Sequence, residues 1–262
     1  LSAPTRLALI RRPGPRLSEG LVTHIERESI DADLALRQWE AYVVAMTSSG
    51  WTVIEVPAAD DCADAVFVED AAVVFEQVAV ICRPGAPSRR DEIPAVRVAL
   101  EELGYVTHEI SAPGTLDGGD VLKVDRTMYV GKGGRTNAEG IRQIAEVFGP
   151  LGVEVVAVPT TRVLHLKSAV TALPDGRVIG YPSIVDDQAV FPSFLAMPEE
   201  SGSHVVDLGD QQLLMAASAP KSAELIRSFG YKPVLVDISE FEKLEGCVTC
   251  LSVRLRDVPV VE

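Results

Sequence analysis

An α/β fold made of five repeating units, single-domain over residues 1–262, is what this sequence predicts, and three observations carry the prediction. Short runs rich in Val and Ile alternate with segments that have helix start and stop signals. Five polar "mouths", FVED, LDGGD, HLKS, VDLGD and VTCLS, recur roughly every 40–50 residues, a spacing found in propellers and solenoids. The 262 residues are long for one compact core yet suit an α/β barrel or propeller, and no linker rich in Gly and Ser divides them. Five such units around an axis would gather their mouths at one place.

In chain order, the runs LALI and WTVIEVP flank the first helix, DADLALRQWEAYVVAMTSSG, which opens on Asp caps and stops at Gly50. AVFVED, AAVVF and VAVICRPG read as strands, bounded by Pro, Gly and Asp. SRRDEIPAVRVALEELG is a helix from Ser88 to Gly104, with Pro94 tolerable only near its first turn. DVLKV and TMYVG precede the helix TNAEGIRQIAEVFG, which ends at Gly149, and VEVVAVP follows it. HLKSAVTAL, RVIGY, HVVDLG and LLMAA lead to the helix SAPKSAELIRSFG, ending at Gly230, and PVLVDI and CVTCLSVRL complete the strands. Residues 11–33, RRPGPRLSEGLVTHIERESIDAD, fit no template before Asp31, and a loop of that length reads either as a lid or as a mobile surface loop.

Composition narrows the function. Net charge is −14, and the local Arg pairs, Arg11-Arg12 and Arg89-Arg90, lie among turn residues, so a nucleic-acid partner is not expected. No apolar run approaches the roughly 18 residues of a membrane helix. The N-terminal apolar stretch is too brief for a signal peptide, so a cytoplasmic protein is the expectation. Four cysteines do not make a disulfide framework at this length.

The chemistry-bearing residues start with Cys247 and Cys250. A redox C-x-x-C belongs at a helix N-terminus, and a zinc site needs a second Cys or His pair at ligand spacing, which is missing here. On a strand the two cysteines have opposite parity and point to different faces. A single working thiol is left, and it needs a partner to take a proton. His165, in VLHLKSAV, is a candidate; a satisfied core histidine is the plainer reading. Asp117 and Asp120 surround two glycines that let the backbone turn sharply or approach a ligand closely. Asp64, Glu69 and Asp70 flank an apolar run, and adjacent carboxylates there call for a cation between them. Arg89 and Arg135 each follow a turn and precede a helix, and guanidinium forks suit a carboxylate. The set fits a substrate with a cationic and an anionic end.

The segments DAVFVED, RPGAPSRR, TLDGGDVL, GKGGRTN, HLKSA and TCLSV resemble, in order and spacing from about residue 5 to 255, the dimethylarginine dimethylaminohydrolases of the guanidino-group-modifying (pentein) superfamily. The resemblance implies a five-bladed α/β propeller of ββαβ units around a central channel. It implies hydrolysis of Nω-methylated arginine to citrulline and a methylamine through a covalent thiouronium on Cys250. His165 would be general acid and base, and Asp117 would orient it. Glu69 and Asp70 would grip the guanidinium, Asp64 would sit near the α-amino group, and Arg89 and Arg135 would clamp the α-carboxylate. Leu21, Phe67 and Leu244 would contact substrate, and Cys247 would be incidental. No metal or organic cofactor is implied. The expected partner is a small-molecule methylated arginine, with no nucleic acid and no membrane, and a homodimer is left open. Competing readings are arginine deiminase or amidinotransferase chemistry, a non-catalytic binder of arginine-like ligands, and a C-x-x-C redox protein.

Overall fold

In the computed structural model the described residues are 6–256 and 258–259. Five three-stranded sheets make up the fold. The first blade holds β1 (Leu7–Ile10), helix α1 (Ala32–Ser48) and β2 (Thr52–Glu55). The second holds β3 (Ala72–Phe75), β4 (Val78–Ile81), α2 (Ile93–Glu102) and β5 (Val106–Glu109). The third holds β6 (Val121–Val124), β7 (Thr127–Lys132), α3 (Ala138–Phe148) and β8 (Glu154–Pro159). The fourth has β9 (Val170–Ala172), β10 (Val178–Gly180) and β11 (Phe194–Ala196), with 3-10 turns in place of a helix. The fifth holds β12 (Val205–Gly209), β13 (Gln212–Ala216), α4 (Pro220–Ser228) and β14 (Lys232–Val236). After the short helix α5 (Ser239–Glu242), β15 (Val253–Leu255) returns to pair with β1, so the two ends of the chain share the first blade.

Every blade has the same wiring. Its inner strand pairs antiparallel with the middle strand, which pairs in parallel with the outer one. The inner strands β3, β6, β9, β12 and β15 line one central cavity of ≈ 480 Å³. Burial follows position: β1 and β10 are buried throughout, whereas the outer β2 and β5 are largely exposed.

The core is five volumes, one between each pair of neighbouring blades. Strand alternation divides the side chains among them. Leu7 and Leu9 of β1 enter the core shared with the second blade, and Ala8 and Ile10 enter the one shared with the fifth. Leu213 and Met215 of β13 face the fourth blade, while Leu214 and Ala216 face the first. Burying such a Leu contributes about 1.5–3 kcal/mol. A charge at Leu214 would breach the core that joins the fifth blade to the first.

The four long helices form in the expected segments, and side chains cap two of them, α1 and α3. Asp31 accepts from Leu34 N at 2.9 Å and Asn137 from Gly140 N at 2.8 Å. The second helix departs in detail: residues Pro87–Glu92 are 3-10, and the α-helix begins at Ile93, which leaves Pro94 in the first turn, where its missing N–H costs nothing. No helix among the described residues is long and apolar enough to cross a membrane.

Several strand expectations need correcting. AVFVED is not a strand; Val68–Ala71 is a 3-10 turn and β3 starts at Ala72. HLKSAVTAL and CVTCLSVRL yield only β9 and β15, after a 3-10 turn at Leu166–Ser168 and a turn through Val248–Leu251. The physical reason is that backbone N–H groups in these turns bond to the neighbouring turns instead of a ladder: Glu69 N to Cys250 O, Gly119 N to Asp70 Oδ1, and Leu166 N to Asp120 Oδ1. Four mouths therefore are polar turns before inner strands. The fifth, VDLGD, is β12 itself and its hairpin; the equivalent turn is Ser201–Ser203. Strand β11 was not anticipated.

Candidate active site

The turns before β3, β6, β9 and β15 meet at one end of the channel. Asp117, wholly buried, ends the run before β6 in extended conformation. Its Oδ2 lies 3.0 Å from His165 Nε2, and its Oδ1 accepts from Gly85 N at 2.9 Å. Gly119 brings the backbone against the imidazole: a Cβ there would stand 2.6 Å from Asp70 Oδ1 and 2.7 Å from His165 Nδ1, so only glycine fits. Its N–H donates to Asp70 Oδ1 at 2.8 Å. Asp120 accepts from Leu166 N (2.9 Å) and the Thr136 hydroxyl (2.6 Å), fixing the turn that carries His165.

Burial opposes a charge on His165, but Asp70, the hydrogen bond to Asp117 and Asp120 outweigh it and raise the imidazole to about 9. Asp70 shows the converse: burial would raise it, yet His165, Arg89 and Gly119 N–H hold it below the usual carboxylate range. For Asp120 burial wins, and the carboxyl is raised to about 6. Asp64, whose Oδ1 accepts from Leu21 N at 2.9 Å, is also raised by burial.

A small cavity is lined by Leu21, Asp64, Phe67, Asp70, Arg89, Arg135, His165, Leu244 and Cys250, all anticipated from sequence. Leu164, Glu245 and Gly246 also line it and were missed, having no chemical signature of their own. Residues 11–30 contain no strand or α-helix, in keeping with the lid expectation. The loop is pinned by Glu245, which accepts from Thr23 N (2.5 Å) and His24 N (2.9 Å), and by Glu240 of α5, which accepts from Asp31 N at 2.9 Å.

Three expectations fail on geometry. Glu69 does not face this cavity beside Asp70; it lines the central channel, with Oε1 held by Lys167 Nζ (2.6 Å) and Arg254 Nη2 (2.5 Å). Its carboxylate follows those two cations, neither of which is a neighbour in sequence. Arg89 is not a free clamp: Nη1 donates to Asp70 Oδ2 at 2.5 Å, Nε and Nη2 to Glu92, and Nη2 also to the Asp64 and Phe67 carbonyls. Arg135 has as its closest carboxylate Asp117 at 3.8 Å and keeps donors for a ligand. Cys247 and Cys250 do not point apart, because they lie on a turn; their sulfurs are 3.3 Å from each other. The hydrogen bond between them lowers the Cys247 thiol to about 5, and that bond together with burial raises Cys250 well above the ordinary range.

Asp70, Asp117 and His165 offer ligand atoms within 4.8 Å of one another. These atoms are already committed: Asp117 Oδ2 and His165 Nε2 to each other, and Asp70 to Gly119 and Arg89.

A family model described as N,N dimethylarginine dimethylhydrolase, eukaryotic, matches residues 22–218. The chain is 63% identical over 255 residues to the N(G),N(G)-dimethylarginine dimethylaminohydrolase of Streptomyces coelicolor, covering 97% of this chain and 99% of the relative. It superposes with TM-score 0.89 and 30% identity on a cysteine-to-serine mutant of the Pseudomonas aeruginosa enzyme complexed with citrulline, covering 97% and 100% of the two chains. A dimethylarginine dimethylaminohydrolase adduct with S-methyl-L-thiocitrulline also gives TM-score 0.89 at 30% identity, covering 95% and 99%.

Proposed function

The chain belongs to the dimethylarginine dimethylaminohydrolase family, and on that footing we propose that it hydrolyses Nω-methylated arginine to citrulline and a methylamine through a covalent adduct on Cys250. The observation that carries this reading is the sharing of one cavity by Cys250, His165 and Asp70, with Asp117 bonded to the back of the imidazole.

The substrate guanidinium is a flat, resonance-stabilised cation. Asp70, held ionised, faces it and fixes its plane, so binding orients the carbon toward sulfur. Free Cys250 is a protonated thiol; a cation beside it favours the thiolate, which couples activation to binding. The thiolate attacks the guanidino carbon. The tetrahedral adduct collapses as protonated His165 gives its proton to the departing methylamine, because an amine anion is a poor leaving group. A planar thiouronium is left on sulfur. His165, now neutral, takes a proton from water as that water attacks; collapse expels the Cys250 thiolate and releases citrulline. Asp117 holds Nε2 throughout, leaving the other ring nitrogen for both transfers.

Arg135 supplies the contact for the α-carboxylate, and Asp64 with the Leu21 backbone forms the end of the cavity suited to an α-amino group. Arg89 acts one step back, positioning Asp70. The whole chain works as one catalytic domain. All four cysteines are free thiols, which suits a reducing compartment, and the reading includes a cytoplasmic setting.

Citrulline release from monomethyl-, dimethyl- and unmethylated arginine tests the reading. Wild type is expected to release citrulline from a methylated substrate. Cys250→Ser is expected to bind that substrate and release none; turnover by the variant at the wild-type rate would remove Cys250 as nucleophile.

A further inference from the structure

Cys247 takes no part in the reaction above, yet its sulfur lies 3.3 Å from that of Cys250. Local backbone geometry causes this. Cys250 N–H donates to the Cys247 carbonyl at 3.1 Å, closing a four-residue turn. Such a turn holds its end Cα atoms within about 7 Å, close to the roughly 4.4–6.8 Å that a disulfide spans. The Cys247 N–H lies 3.4 Å from Cys250 Sγ, and the Thr249 hydroxyl 3.1 Å from Cys247 Sγ. Both sulfurs are thus on one side of the turn.

Their surroundings differ. Cys250 lines the cavity, whereas Cys247, 2% exposed, is not among the lining residues and packs in the core between the first and fifth blades. A small polar oxidant entering the cavity meets Cys250 first, and the product of that encounter meets Cys247. The hydrogen bond from Cys250 lowers the Cys247 thiol, which makes Cys247 the second nucleophile of the pair.

We propose that Cys247 and Cys250 form a dithiol that closes to a disulfide when a hydroperoxide enters the cavity, masking the nucleophile reversibly. The inference rests on Cys250 being that nucleophile. Across the 3.3 Å hydrogen bond Cys250 passes its proton to Cys247 and attacks hydrogen peroxide as a thiolate: an S–O bond forms, the O–O bond breaks, and the hydroxide that leaves takes the proton back from Cys247 to become water. The Cys247 thiolate attacks the sulfenic sulfur: the S–S bond forms, the S–O bond breaks, and a second hydroxide leaves as water. Two thiols and one peroxide become one disulfide and two waters, with the two sulfurs supplying both electrons. The sulfurs need to close from 3.3 Å to about 2.05 Å. A thiol reductant reopens the bond by exchange. Without Cys247 the sulfenic acid has no resolving partner and proceeds to the sulfinic acid, which thiols do not reverse.

The test uses the reduced full chain, treated with hydrogen peroxide, assayed for citrulline release and digested with trypsin. Lys243 and Arg254 bracket both cysteines in one peptide, residues 244–254. As activity falls, that peptide is expected to lose two hydrogens and stop reacting with iodoacetamide, and dithiothreitol should restore both properties. Cys247→Ser and Cys247→Ala, each referred to its own untreated rate, should lose activity as the peptide gains two oxygens, with little recovery in dithiothreitol. Having two variants guards against one that fails to fold. A wild-type peptide that gains oxygen instead of losing hydrogen overturns the proposal, as does equal recovery in wild type and variants. Failure of the nucleophile assignment shows separately, as turnover by untreated Cys250→Ser, while the peptide mass still reports whether the disulfide forms.

Discussion

His165 is 3% exposed and lies 3.0 Å from Asp117 and 3.8 Å from Asp70. With its imidazole held near 9, against about 6.5 in an unfolded chain, it contributes stability that is complete below about 6.5 and is lost as pH rises through about 9. The free enzyme's acid should show the same value, so kcat/KM is expected to fall on an alkaline limb near 9. A limb unmoved in Asp117→Asn would contradict the positioning role of Asp117. His165→Ala should lower kcat by about 10²–10⁴-fold, the range for one general acid–base group. The two arginines separate by their partners. Arg89→Ala strands buried Asp70 and Glu92 and should cost about 3–5 kcal/mol in urea unfolding. Arg135→Ala should leave the unfolding midpoint nearly unchanged and raise KM. The reverse pattern would return the clamp role to Arg89.

At the scale of elements, the polar turns do the positioning, and the loop over residues 11–30 puts Leu21 against the cavity. Glu245 carries positive φ (59°) and takes two backbone N–H groups of the loop, at Thr23 and His24. Removing them by Glu245→Ala loosens the loop. With a net worth of ~1 kcal/mol, KM should rise about fivefold, with kcat changed less. An unchanged KM would mean that the loop is held without this anchor. The turns were legible in sequence because each is short and locally polar: LDGGD, HLKS and TCLS carry Asp117, His165 and Cys250 at recognisable spacing. LDGGD reads as a turn, but FVED, HLKS and VTCLS were misread as strand because apolar residues flank them, and the backbone partners of these turns sit on other turns 46 to 181 positions away, where no local pattern reaches.

Across the whole molecule the ring was legible from its period and its details were not. The alternation within LALI and LLMA gives each middle strand two apolar faces, which five inter-blade cores require, and a five-unit ring brings residues 64 to 250 to one end of one channel. What the pattern could not give is the direction of charges whose partners are supplied by other blades. Glu69 turns to Arg254, 185 residues on, and VDLGD, polar like the other mouths, belongs to a hairpin at a different place in its blade. Catalysis by groups drawn from four blades makes covalent trapping the direct test. His165→Gly mixed with S-methyl-L-thiocitrulline, whose methanethiolate leaves without a general acid, and quenched in acid should show, by intact mass, an added substrate less its methanethiol, located on Cys250 within residues 244–254. Unmodified protein that nevertheless accumulates citrulline, or an adduct on any other residue, would contradict the account.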